Sequence, residues 1–335
     1  MRDQILGRIG VQTALILAGL VVSLSVMAQS PAGNKAPSVS TGKAAAGKKW
    51  QTPWGDPDLQ GSWQNTTTTP LERPAKYSGR EFMTPQERAD AEARRIADEN
   101  ANFYDSIWSD GRTSLIYDPP DGRKPAFTPD GQKRQVGWNE SLKYSPGPYN
   151  GPEDLDIRTR CIIRDPLPRI PANYGNSYEI VQGPGFVAIF HEYIHETRLI
   201  PLDGRAHLDQ SVRQWFGDPR GHWEGDTLVV ETTNFNDRTR FEGSTQNLHL
   251  VERWRRVADD QIDYRFTVSD PETWTKPWSA AIAWHKSGPM YEYACTEDNV
   301  DMYGILAGPP ASDPRAAEAR QKGTREKVRL PSDSN

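Results

Sequence analysis

Two stretches decide how this chain folds: Leu248-His-Leu-Val-Glu-Arg-Trp-Arg-Arg-Val257 and Gln261-Ile-Asp-Tyr-Arg-Phe-Thr-Val-Ser269, joined by Ala258-Asp-Asp260. In the second, Ile262, Tyr264, Phe266 and Val268 alternate with Gln261, Asp263, Arg265 and Thr267. A period of two puts the apolar set on one buried face of a strand. The short acidic linker between the stretches predicts a hairpin. Working outward, similar Val-, Ile-, Tyr- and Trp-rich segments recur at Ser177–Gln182, Gly185–Glu192, Glu196–Pro201, Thr227–Thr233, Trp278–His285 and Met290–Cys295. Gly, Asp, Asn or Pro separates them, so the expectation is sequential antiparallel strands. The fold class is mainly β: an antiparallel β-barrel or a strongly curved sandwich.

Upstream, Thr84-Pro-Gln-Glu87 combines an N-cap, a proline at the first helical position and a capping-box glutamate. It predicts one polar surface helix through Ala89–Glu99. Residues 108–152 are rich in Pro, Gly and Asp and read as long loops wrapping the domain. The fold should begin near Trp50, giving a single β-rich domain over 50–310.

The ends read differently. Residues 1–28 have Arg2 and Arg8, an apolar run over Ala14–Val22, and Val26-Met-Ala28 where cleavage would fall, the pattern of a signal peptide. Residues 29–49 form a small polar linker and 311–335 a charged tail. The formal charge of −5 divides into +1 for the signal, +4 for residues 29–50, +2 for the tail and −12 for the core. A core this acidic repels phosphate backbones, which argues against nucleic acid as a partner. Export implies a periplasmic or secreted protein with no stable membrane insertion after cleavage. In such a compartment the two cysteines, Cys161 and Cys295, are expected to pair.

Candidate chemistry concentrates between 191 and 226. His191-Glu-Tyr-Ile-His195 matches HExxH, which on a helix would bind zinc with Glu192 as base and Glu224 as a further carboxylate. The segment is β-branched and aromatic, however, and the metzincin third-histidine position is Pro201. The strand reading is preferred, with His191, Tyr193 and His195 on one face lining a pocket and zinc a minor alternative (His191, His195, Glu224). The second cluster runs through Asp203, Arg205, His207, Arg213, Trp215, Asp218, Arg220, His222, Trp223, Glu224 and Asp226 in a Gly-broken stretch. Here His195, Asp203, His207, His222 and Glu224 are the candidate acid–base residues, and Tyr193, Arg205, Trp215, Arg220 and Trp223 the candidate ligand-binding ones. They are expected around one cavity, with a structural latch as the competing reading. No G-x-S-x-G elbow, phosphate loop or dinucleotide fingerprint is present. The expectation is an exported enzyme acting on a small organic molecule by elimination, isomerisation or hydrolysis, without a cofactor. The alternatives are a periplasmic binding protein without turnover and a zinc hydrolase.

One resemblance adds to this. Gly217-Asp-Pro-Arg-Gly-His-Trp-Glu-Gly-Asp-Thr-Leu-Val-Val-Glu-Thr-Thr-Asn-Phe235 resembles the core motif of a large family of exported bacterial proteins. So do Asp58-Leu-Gln-Gly-Ser-Trp63, Pro201-Leu-Asp-Gly-Arg-Ala-His207, Val251-Glu-Arg-Trp254, Asp270-Pro-Glu-Thr-Trp274 and Tyr291-Glu-Tyr-Ala-Cys295. The resemblance spans most of residues 54–308. It implies export and kinship, and assigns no catalytic residue.

Overall fold

Ten antiparallel strands form one nearly closed, barrel-like sheet. They are β1 (Gly61–Gln64), β2 (Ile116–Asp118), β3 (Ser177–Gly183), β4 (Phe186–His191), β5 (Glu196–Pro201), β6 (Asp218–Glu224), β7 (Thr227–Thr233), β8 (His249–Ala258), β9 (Gln261–Ser269) and β10 (Trp278–Lys286). The order is β5-β4-β3-β1-β10-β9-β8-β7-β6, with β2 pairing beside this path on β10. The computed structural model describes residues 49–97, 109–141, 149–155, 157–163, 167–172, 174–238, 241–297, 299, 302 and 306. The signal-peptide reading over 1–28, all but the last residue of the 29–49 linker, and the 311–335 tail lie outside the described residues.

Strands β5 and β6 end the hydrogen-bonded path, and side chains narrow the gap between them. A Cβ added to Gly221 of β6 would stand 2.6 Å from Leu202 Cδ2 and 2.8 Å from Ile200 Cγ2. Alternation does the rest. Inward positions on β9 are Ile262, Tyr264, Phe266 and Val268, all buried. Trp63, Trp254, Trp274, Trp278 and Trp284 are almost wholly buried. Trp254 packs on Tyr264 at 4.1 Å and edge-on to Trp284 at 4.6 Å. Each such ring removes enough apolar surface to contribute roughly 4–6 kcal/mol before chain entropy is counted.

Both ends of β8 and β9 are covered. At their hairpin, Trp50 Nε1 donates to Asp259 at 2.8 Å, and the Arg256 guanidinium lies 5.5 and 5.4 Å from the Trp50 and Trp63 ring centres. Gln182 closes the same region by accepting from the Leu59 amide at 2.6 Å and donating to the Pro57 carbonyl at 3.0 Å. At the other end α2 (Pro129–Ser141) docks through Arg134, which donates to the carbonyls of Gly243 and Glu272 at 3.0 and 2.7 Å.

The expected spans of Glu196–Pro201, Thr227–Thr233 and Gln261–Ser269 match the observed strands, and the 258–261 hairpin is present. The helix at Thr84 is α1 (Pro85–Ala97), with both capping-box bonds made: Thr84 N to Glu87 Oε2 at 2.8 Å and Glu87 N to Thr84 Oγ1 at 3.2 Å. Three expectations need correction. Residues 290–295 carry no strand: Cys295 there bonds to Cys161, not to a sheet neighbour. Residues 129–141 are a helix rather than a wrapping loop. Half of the Gly-broken cluster is strand β6, because Gly221 sits on an inward position where Leu202 and Ile200 leave no room for a side chain.

Candidate functional site

Inward parity also carries charge. On β5, Glu196 and Arg198 share the buried face with Ile200; on β8, Glu252 lies between Leu250 and Trp254. Burying ions is costly unless each finds a partner, and here they do. Arg198 forms a two-pronged pair with Glu252 at 3.1 and 2.6 Å and reaches Thr232 Oγ1 at 3.4 Å. Tyr264 donates its hydroxyl proton to the same carboxylate at 2.9 Å. Burial works against the Arg198 charge, but the facing Glu252 outweighs it and holds the guanidinium above its ordinary range. Burial, reinforced by Glu252, keeps the Tyr264 phenol protonated far beyond the usual range.

A second buried set adjoins the first. Glu196 pairs with Arg169 and lies 3.2 Å from His191 Nδ1. His191 Nε2 is 2.8 Å from the Gly175 carbonyl. Tyr178 stacks on the His191 ring at 4.6 Å. Together these residues line a chamber with Leu167, Ile189, Trp254 and Trp284. Its free space is about 20 Å³, room for about one water molecule.

The hairpin between β4 and β5 explains why the three expected partners His191, Tyr193 and His195 do not share a face. The strand ends at His191. Ile194 (φ 64°) and His195 (φ 55°) then both adopt left-handed backbone, which a β-branched residue strongly disfavours. His191 points inward, Tyr193 is buried in the turn and His195 is exposed, 3.8 Å from Glu292. Tyr193 stacks on Tyr293 at 4.1 Å, their hydroxyls 3.3 Å apart, which holds the turn in this shape. The HExxH segment is therefore no α-helix, and the zinc alternative loses its frame. His191 is engaged inside, His195 lies at the turn, and Glu224 pairs with Arg253 on β8. Among the described residues no three His, Cys, Asp or Glu side chains are grouped to hold a metal ion.

The 203–226 cluster divides into separate groups. Asp218, 2% exposed, accepts from the Leu208 amide at 2.9 Å, His207 Nδ1 at 3.0 Å and Arg220 at 2.6 Å. Arg220 also donates to the Ala206 carbonyl at 3.0 Å. From the motif's far end, Asn234 donates to the carbonyls of Leu208, Asp209 and Val212. These bonds tie the loop between β5 and β6 to the sheet. Asp203 and Arg205 pair with each other in solvent. His222 and Glu224 lie 3.2 Å apart on the exposed face of β6. Arg253 first, then His222, lowers the Glu224 pKa, and Arg205 lowers that of Asp203. Such carboxylates are weak proton acceptors. Trp223, the inward neighbour of His222, packs against the core, and Trp215 is half-buried. None of the residues singled out in 203–226 lines the buried chamber.

The chamber residues went unread except for His191, yet the signal was present. Glu196, Arg198 and Glu252 are charges at positions whose strand parity is otherwise apolar. The cysteine expectation holds, with Cys161 and Cys295 forming a disulfide across 134 residues. No helix among the described residues is long and apolar enough to cross a membrane. No family model and no curated protein matches the chain. Among solved structures, a mutant of the fluorescent protein UnaG is similar over 34% of this chain and 72% of its own, at 12% identity and a TM-score of 0.21.

Proposed function

We propose that this protein binds a small organic molecule in the barrel interior, at the chamber between the Arg198–Glu252–Tyr264 and Arg169–Glu196–His191 groups. The observation that carries the reading is the placement of two fully buried ion-pair groups around one space, inside walls of Trp254 and Trp284. A barrel built for stability alone gains little from such pairs, since apolar residues of like volume do as well or better. Leu167 and Arg169 are the part of the chamber wall that lies outside the strands. Kinship with the exported bacterial family rests on the motifs, and export on the N-terminal pattern together with the disulfide.

The test is incubation of the purified protein with a metabolite pool, followed by mass spectrometry of what stays bound. Wild type should retain discrete compounds that the double variant R198L/E252L, which removes both charges at once, does not. Equal retention by both proteins, or none by either, defeats the reading.

A second reading, acid–base turnover, is favoured by His191, whose ring lies between a carboxylate and a carbonyl at the chamber wall. The same incubation distinguishes it: an enzyme depletes one compound and accumulates another, and a binder does neither.

A further inference from the structure

We propose that the turn between β4 and β5, residues 192–195, is the gate of the chamber, and that Tyr293 is its latch. This rests on the interior being the binding site. As it stands the chamber admits about one water, whereas sites for organic ligands hold roughly 300 Å³ or more. Occupation therefore requires part of the wall to move. Most wall residues sit in hydrogen-bonded strands. His191 and Glu196 sit where that bonding ends: they are the last cross-strand pair of β4 and β5, so the turn joins two chamber residues directly. Arg169, outside the strands, is paired with Glu196, so this part of the wall follows the turn as well.

Two observations make the turn a two-state element. The first is strain within it. Ile194 (φ 64°) and His195 (φ 55°) are consecutive left-handed residues, a conformation whose cost an opened turn would release. The second is what holds it from outside. Tyr293 stacks on Tyr193 at 4.1 Å, their hydroxyls 3.3 Å apart, and Glu292 lies 3.8 Å from His195. Tyr193 in turn meets the Tyr174 ring at 5.5 Å, and the neighbouring Gly175 carbonyl is 2.8 Å from His191 Nε2. The tyrosine stack thus runs from segment 291–295 to the chamber wall. That segment is a fixed post. Cys295 is bonded to Cys161, and its amide donates to the Tyr293 carbonyl at 2.9 Å. When Tyr193 leaves the stack, the two left-handed residues relax and His191 parts from Glu196, which opens the chamber.

Diethyl pyrocarbonate, which acylates an accessible unprotonated imidazole, reports the opening without any ligand. His191 is 3% exposed, so it reacts from the open form, and fragment mass spectrometry separates it from His195. Tyr293→Ala removes the stack and should speed His191 modification roughly three- to tenfold at fixed pH, the worth of one aromatic pair. Tyr293→Phe keeps the ring and should react at nearly the wild-type rate. His207, half-buried and held by Asp218 on β6, is the reference and should not change. Equal His191 rates in wild type and Tyr293→Ala overturn the gate. A rise that His207 shares in equal measure marks general loosening and overturns it too. Compounds that wild type retains from the metabolite pool should leave Tyr293→Ala several-fold faster on washout; an unchanged release rate defeats the gate and leaves the interior as the site. Faster His191 modification with nothing bound from the pool upholds the moving turn and defeats the interior as a binding site.

Discussion

At the scale of single residues, the stretch 217–235 opens on a joint. Gly217 has φ 65°, and a Cβ there would stand 2.4 Å from the Thr233 carbonyl oxygen, a backbone atom that cannot step aside. Gly217→Ala should cost about 2 kcal/mol or more, combining left-handed strain with a clash, measurable by urea denaturation. Glu252 is the opposite case, a residue whose loss strands a partner. Glu252→Ala leaves Arg198 buried and unpaired and should cost about 3–5 kcal/mol, whereas R198L/E252L should cost far less or nothing. If the two variants unfold at the same urea concentration, the pair does not behave as a buried ion pair.

At the scale of elements, the two α-helices among the described residues share a start signal, and only the first is plain in the sequence. Thr84-Pro85 and Thr128-Pro129 each place a threonine before a proline, and in each the threonine hydroxyl accepts from a first-turn amide, Glu87 N at 3.2 Å and Gly131 N at 3.0 Å. The second was obscured by Asp130-Gly131, which resembles a turn. Gly131 is there because the helix lies against Thr273, whose carbonyl would be 2.3 Å from a Cβ. Thr128→Ala should destabilise the protein by about 1 kcal/mol, the usual worth of such a cap. In α1, Arg80 first and then the Thr84 amide depress Glu87 from 4.5 to about 2. The stabilisation from Glu87 is thus fully present above pH 4.5 and is lost as pH falls through about 2. Carboxylate chemical shifts followed by NMR should show Glu87 titrating well below the exposed glutamates; a midpoint near 4.5 would refute the Arg80 pair together with the Thr84 bond.

At the scale of the molecule, the disulfide joins the segment before β3 to the segment after β10, so it closes nearly the whole sheet into one covalent loop. A cross-link over a loop this long should contribute about 4–5 kcal/mol through the unfolded chain. Intact mass should rise by two hydrogens on reduction, and the melting temperature should fall. Two alkylatable thiols in the unreduced protein would contradict this. The charged segment 203–226 looked like a site because histidines, arginines and carboxylates crowd it. In three dimensions His222 and Glu224 face outward from β6, Trp223 packs on the core, Asp203 and Arg205 pair in solvent, and His207, Asp218 and Arg220 anchor a loop, so crowding in sequence did not become convergence in space.

What the sequence determined by itself depends on period and local chemistry. Alternation at 261–268 set the buried face, the acidic linker set the hairpin, and Thr84-Pro-Gln-Glu87 set a helix start. Tertiary structure decided the rest. Closure of the sheet depends on β5 meeting β6, and the chamber depends on Arg169, His191, Glu196, Arg198, Glu252 and Tyr264 arriving from five separate stretches of chain. Parity shows that a charge faces inward. Only the order of strands around the barrel shows which opposite charge it meets there, because a buried ion pair is a contact across the fold and leaves no periodic trace along it.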